Sequence, residues 1–93
     1  AGLPGNVFVQ IGLHREVESE LSAFEDAVRA IPEVMECYLM SGEFDYLIRV
    51  VVSDMADFER IHKTELTRLP GVARVNSSFA IRTVQRKTEL PLR

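Results

Sequence analysis

The sequence predicts an α+β domain of the ferredoxin-like type, βαββαβ, with a four-stranded antiparallel sheet and two helices on one of its faces. Three observations lead there. Runs of β-forming residues occur four times, and two segments between them carry apolar residues at helical spacing. An internal echo, Ile31-Pro32-Glu33-Val34 and Leu69-Pro70-Gly71-Val72, places an aliphatic residue, proline, a spacer and valine at both expected helix-to-strand junctions. The chain therefore reads as two β-α-β halves. Two right-handed crossovers feeding one antiparallel sheet put both helices on the same side.

The first strand is expected over Val7 to Leu13, where Val7, Val9, Ile11 and Leu13 alternate with Phe8, Gln10 and Gly12. From Val17 to Ile31 the stripe Val17, Leu21, Phe24, Val28, Ile31 recurs at spacings of three and four, and Pro32 ends the helix by restricting the residue before it. Val34 to Ser41 and Phe44 to Val52 form two strands joined across Gly42 and Glu43, the spacing of a tight hairpin. Asp54 offers an N-cap oxygen, with Asp57 in the first turn, and Met55, Phe58, Ile61, Leu66 and Leu69 follow as a second helical stripe up to Pro70-Gly71. Val72 to Val84 alternates as a long last strand, and residues 85–93 are a short flanking extension.

Residues 1–93 make a single domain, with 46% hydrophobic and 27% charged residues. Its size hides roughly 60–65% of the unfolded chain's surface, a real but modest core. The formal charge of −3 argues against an autonomous nucleic-acid binder, because duplex affinity comes largely from Lys and Arg neutralising phosphates. A lone cysteine, Cys37, excludes an internal disulfide framework, and no charged-then-apolar leader opens the chain, so a reducing cytoplasmic setting is expected. No apolar run approaches the roughly 18 residues of a membrane span, so no membrane partner is expected. The chain opens on Ala1 and not methionine, the pattern of a fragment, a processed product or a trimmed chain.

The sheet face away from the helices is not that of a wet surface. If Tyr46, Ile48, Val50 and Val52 face the helices, then Leu47 and Val51 face away, together with Phe8 and Gly12. Asp45, Arg49 and Gln10 make that face mixed, yet its apolar part suits burial by a second copy of the chain. No catalytic residue, metal site or cofactor is expected. His14 and His62 lie on different elements without metal-ligand spacing, and Cys37 is read as a small buried hydrophobe in the second strand. Glu16, Glu18, Glu20, Glu25 and Asp26 are read as a solvated acidic helix surface. The informative segment is Ser41-Gly42-Glu43-Phe44-Asp45-Tyr46. Its glycine exposes backbone N–H groups that suit an anion, and a carboxylate three residues on suits an ammonium group, together a match for a free amino acid. A tight turn uses the same residues with Asp bonding back to nearby amides, so both readings stand.

Ser41-Gly42-Glu43-Phe44-Asp45-Tyr46-Leu47 resembles the S-G-[DE]-[FY]-D-Y-L hairpin of the Lrp/AsnC (leucine-responsive/asparagine-type) transcription regulators. Glu36-Cys37-Tyr38-Leu39 resembles their E-C-H-x run, with Tyr38 in place of the histidine, and Leu69-Pro70-Gly71-Val72 with the Ser-bearing strand after it is similar to their last strand. The likeness runs from Val7 to about Leu90, and Gly2-Leu3-Pro4-Gly5-Asn6 resembles the stretch after the hinge that follows the family's N-terminal helix-turn-helix. The resemblance implies the effector-binding and oligomerisation domain (RAM domain) without its DNA-binding half. It implies self-association into dimers and then tetramers, octamers or larger rings, with DNA contacted only through the missing helix-turn-helix. It also implies an amino acid bound between dimers. Carried over by position, the ligand residues are Leu39, Gly42, Glu43, Asp45, Met55 and Ser78, with Glu43 and Asp45 meeting charged groups and Leu39 and Met55 forming apolar wall. Ser78 stands where relatives often carry a bulkier residue. Two readings of other classes remain beside this one. A dimeric α+β-barrel monooxygenase shares the topology but calls for an inward His or Asn cluster that strands 1 and 3 lack. A purely structural oligomerisation domain would leave the interface empty.

Overall fold

The computed structural model describes residues 5–92. Its elements run β1 (Gly5–Leu13), α1 (Glu18–Arg29), β2 (Val34–Leu39), β3 (Tyr46–Val52), α2 (Met55–Thr64), a 3-10 turn (Leu66–Arg68) and β4 (Val72–Phe79). The sheet order is β2-β3-β1-β4, with all three pairings antiparallel, so the ferredoxin-like α+β fold is observed. Of the segment expected to follow a hinge, residues 2–4 lie outside the described residues.

Alternation decides the core. Val7, Val9, Ile11 and Leu13 of β1 and Tyr46, Ile48, Val50 and Val52 of β3 all face the helices and are buried. Phe24 and Val28 of α1 meet them, with the Phe24 and Tyr46 rings stacked at 4.4 Å between centroids. Phe58 of α2 meets Phe79 of β4 edge-on at 5.2 Å. Each fully buried side chain of this size contributes about 1.5–3 kcal/mol relative to exposure.

The helix ends have local causes. Asp54 caps α2, its side chain accepting from the Asp57 N–H at 2.8 Å, and the Asp57 carboxylate accepts in turn from the Ser53 N–H at 2.9 Å. This reciprocal arrangement satisfies two otherwise unpaired donors. The Ser53 N–H, contributing most, and Arg60 hold the Asp57 carboxyl below its usual range. α1 has no side-chain cap, and Val17, expected on its buried stripe, is an exposed N-cap. The helix stops at Arg29, short of the expected Ile31, because Ile31 precedes Pro32 and leaves the helical region.

α2 is also shorter than the expected run to Leu69. From Ile61 to Leu66 is five residues, too many for one helical stripe. The chain breaks helical geometry at Glu65 and re-forms a 3-10 turn, which returns Leu66 and Leu69 to the core. β4 ends at Phe79 rather than Val84: its last bond to β1 is Ala80 N–H to the Asn6 carbonyl at 2.9 Å, and residues 81–92 are exposed without regular structure. No helix among the described residues is long and apolar enough to cross a membrane.

Candidate functional site

Three of the expected site residues, Gly42, Glu43 and Asp45, sit at the β2–β3 connection, which differs from the tight two-residue hairpin expected. The Met40 N–H bonds the Asp45 carbonyl at 2.8 Å, so the loop is Ser41 to Phe44, four residues long. Gly42 carries its turn with a φ of 106°, a region L side chains rarely adopt, and Glu43 beside it is exposed. An open cavity of about 300 Å³ lies against the loop, lined by Gln10, Met40, Ser41, Glu43, Phe44, Tyr46 and Leu47.

Asp45 requires a correction. It was expected on an open face, free to meet a ligand, but it is only 8% exposed. One carboxylate oxygen accepts from the Leu13 N–H at 2.6 Å, and the Asp45 N–H bonds the Ile11 carbonyl at 2.9 Å. β3 pairs with β1 only as far as Ile11–Tyr46, so Asp45 completes the seam where the ladder ends. The Glu16 carboxyl is pushed up from its ordinary range, first by a hydrogen bond with the Asp45 carboxyl and then by its charge.

The remaining site residues are dispersed. Leu39 pairs with Tyr46 and so lies on the helix side, at an edge the helices leave uncovered, and is 60% exposed. It borders a smaller cavity of about 210 Å³ with Cys37, Glu25 and Arg29. Met55, exposed at the start of α2, follows the other end of β3. At about 3.3 Å per residue the strand separates it from the hairpin by roughly 20 Å. Ser78 lies opposite Phe8 on the face away from the helices. One chain thus brings Gly42 and Glu43 together over Asp45, and leaves Leu39, Met55 and Ser78 apart from them.

Cys37 is exposed and not buried, because β2 is an edge strand; partial burial still pushes its thiol up from the usual range. Glu25 is more than a solvated charge: it accepts from the Tyr46 hydroxyl, and burial together with that carboxylate pushes the phenol well up. The face away from the helices is mixed, as expected. Phe8, Leu47 and Val51 lie among polar pairs: Arg49 with Asn6 at 2.7 Å and with Glu36 at 3.2 Å, and Asn76 with Gln10 at 3.0 Å. The Arg49 guanidinium holds the Glu36 carboxyl below its usual range.

Two features were absent from the sequence reading. One is an open groove of about 600 Å³ between α2 and β4, lined by Phe58, Glu59, His62, Lys63, Thr67 and Ser77. The other is Arg74, whose guanidinium passes over Gly12 to the hairpin and donates to the Glu43 carbonyl at 2.9 Å. The available signal was Gly12 itself, since glycine inside a strand marks a close approach.

Residues 6–90 match the Lrp/AsnC ligand binding domain family. An uncharacterised helix-turn-helix-type transcriptional regulator of Sinorhizobium fredii is 54% identical over 78 residues, 84% of this chain and 61% of the relative. The Bkd operon transcriptional regulator of Pseudomonas aeruginosa is 38% identical over 94% of this chain and 57% of its own length. Among solved structures, a transcriptional regulator of Neisseria meningitidis in complex with L-methionine superposes with a TM-score of 0.84 at 30% identity, over 94% of this chain and 56% of that one. The chain therefore spans about three fifths or less of the length of these relatives.

Proposed function

The chain belongs to the Lrp/AsnC ligand-binding domain family, and from that premise we propose that it is the amino-acid-sensing and self-associating part of a transcription regulator. In this reading a free amino acid binds at an interface between dimers and shifts assembly or subunit geometry, and DNA is contacted through a helix-turn-helix outside this chain. The relatives are transcriptional regulators and not enzymes, which supports the non-enzymatic reading over the monooxygenase one.

The observation that carries the proposal is the dispersal of the site. Gly42 and Glu43 stand roughly 20 Å along β3 from Met55. A ligand touching both must lie between copies, so binding and assembly are linked. Gly42 and Glu43 supply the polar contacts, Leu39 and Met55 the apolar wall, and Ser78 the floor of a wider pocket. Asp45 shapes the hairpin from below. The proposed pairing face is the one bearing Phe8, Leu47 and Val51.

Calorimetry against the twenty amino acids, paired with light scattering, tests this. Micromolar to millimolar binding of one or a few of them, with a change in particle mass, is the expected result. An assembly that binds none of them would mean a purely structural oligomerisation domain, and a single-chain particle of 10.5 kDa would remove the interface altogether.

A further inference from the structure

We infer that Arg74 is the positioning residue of the ligand hairpin, and that Gly12 is what admits it. The inference rests on the reading that the hairpin contacts the ligand, but its geometry stands independently. Arg74 lies in β4 directly across from Gly12 in β1, on the face away from the helices. A Cβ added at Gly12 would come within 3.0 Å of the Arg74 Nε and 3.2 Å of Nη2. The missing side chain is therefore the space in which the guanidinium lies flat.

The strand beyond cannot block it, because β3 stops pairing with β1 at Ile11. Through that opening Arg74 makes three contacts with one loop. Nη2 donates to the Glu43 carbonyl at 2.9 Å, Nη1 stands 3.6 Å from the Glu43 carboxylate, and Cζ lies 4.6 Å over the Phe44 ring. A planar cation with several fixed donors can bind a carbonyl, pair with a carboxylate and stack on a ring at once, which a lysine ammonium cannot.

The consequence is orientation. Gly42 makes the loop backbone permissive, and a permissive segment holds one shape only if its neighbours are pinned. Met40 N–H and Asp45 pin its base, whereas Arg74 pins its crest at Glu43 and Phe44. The direction of the Gly42 and Glu43 amides, and the position of the Glu43 carboxylate, are set from β4. An interaction of this kind contributes little to stability as an exposed ion pair, but it removes the ordering entropy that a ligand would otherwise have to supply.

Three variants of the whole chain test this: Arg74→Ala, Arg74→Lys, and Gly12→Ala. The last displaces only the end of a flexible side chain, at a position without a left-handed φ, and so keeps arginine present while moving it off the loop. Two readouts are taken: amide hydrogen exchange at Met40 and Asp45, whose hydrogen-bonded N–H groups close the loop, and calorimetric affinity for L-methionine and for any other amino acid that the unaltered chain binds. Exchange should rise at least about threefold in Arg74→Ala and Gly12→Ala, and affinity should fall about tenfold with little change in Tm, while Arg74→Lys recovers only part. Unchanged exchange in Arg74→Ala overturns the inference, as does full recovery by lysine. Faster exchange in a chain that binds no amino acid would leave Arg74 as the loop's clamp and remove the proposed function instead. Faster exchange with undiminished amino-acid affinity would overturn the link between clamp and ligand.

Discussion

Leu47 and Ile48 are neighbours in β3, yet they belong to two different kinds of surface. Ile48 is fully buried among Val9, Phe24 and the rest of the apolar side, and from Val7 to Leu13 and Tyr46 to Val52 every residue of β1 and β3 with its parity is buried with it. Leu47 is half-buried on the opposite side, beside Gln10 and Tyr38 in the register, with Phe8 and Arg49 nearby. The helix-covered face is held mainly by burial, with the Tyr46 hydroxyl donating to Glu25 at its edge. The other face interleaves apolar residues with Arg49–Asn6, Arg49–Glu36 and Asn76–Gln10 pairs that are satisfied within the chain. Such a face stays soluble when bare and still offers apolar area to a partner. The proposed pairing, in which this face associates and separates with a ligand, calls for that balance.

The sharpest way to break the comparison is at its buried side. Ile48→Ala leaves a cavity beside Val9 in the core and should cost about 2–5 kcal/mol, lowering Tm by on the order of 10–40 °C. Thermal unfolding followed by circular dichroism checks it, and a loss below about 1 kcal/mol would mean that the helices are not what closes this face.

Next comes the seam between the two faces. Asp45→Ala removes the acceptor of the Leu13 N–H and should cost about 1–3 kcal/mol, with faster exchange at Leu13 itself. Because the carboxylate is buried against the end of β1, the Tm falls first and any loss of amino-acid affinity follows from a loosened hairpin. Asp45→Ala with an unchanged Tm but weaker binding would instead make the carboxylate a direct ligand contact.

On the open face the readout changes from stability to mass. Leu47→Asp should leave the Tm of a single chain within a few degrees, since the position is only half-buried, but should shift the association equilibrium towards single chains in light scattering at micromolar concentration. An unchanged particle size would move the interface to another surface, with the groove between α2 and β4 the next to test.

What could be read from the residues beforehand follows the same division. Period-two alternation at Val7, Val9, Ile11 and Leu13, and the stripe through Phe24 and Val28, are local signals, and the core they imply is the observed one. The caps at Asp54 and the Pro-bearing junctions are local too. The exposure of Cys37 depends on β2 being an edge strand, which is a property of strand order and not of the segment Glu36-Cys37-Tyr38. Asp45 reaches Leu13 across 32 residues and Arg74 reaches Glu43 across 31, so neither partner could be found by spacing. The hairpin motif was visible, but a two-residue turn and a four-residue loop both place glycine at the bend, and only the Met40–Asp45 closure separates them. The distance between Met55 and the hairpin was likewise invisible along the chain, although it is what points the candidate site towards a second copy.

The smallest expected effect lies beside Asp45 and concerns pH. Glu16, in the exposed connection between β1 and α1, shares a hydrogen bond with the Asp45 carboxyl, and this contact raises its pKa above the ordinary 4.5. A carboxyl whose pKa is higher in the folded than in the unfolded chain binds its proton more tightly when folded. Its contribution to stability is therefore complete below the unfolded value and is lost as pH rises through the folded one, leaving two carboxylates facing each other at neutral pH. Asp57 works in the opposite direction, its lowered pKa giving stability that is lost as pH falls, but it lies at the other end of β3 and is untouched by a substitution at Glu16. Glu16→Gln keeps a donor to Asp45 at every pH and removes the repulsion. The variant should melt slightly above the unaltered chain at pH 7, and the difference should disappear or reverse near pH 4. Melting both proteins at the two pH values measures it. An equal difference at both would show that Glu16 and Asp45 do not share a proton, and that the hairpin is anchored to β1 by the Asp45–Leu13 bond without help from the loop before α1.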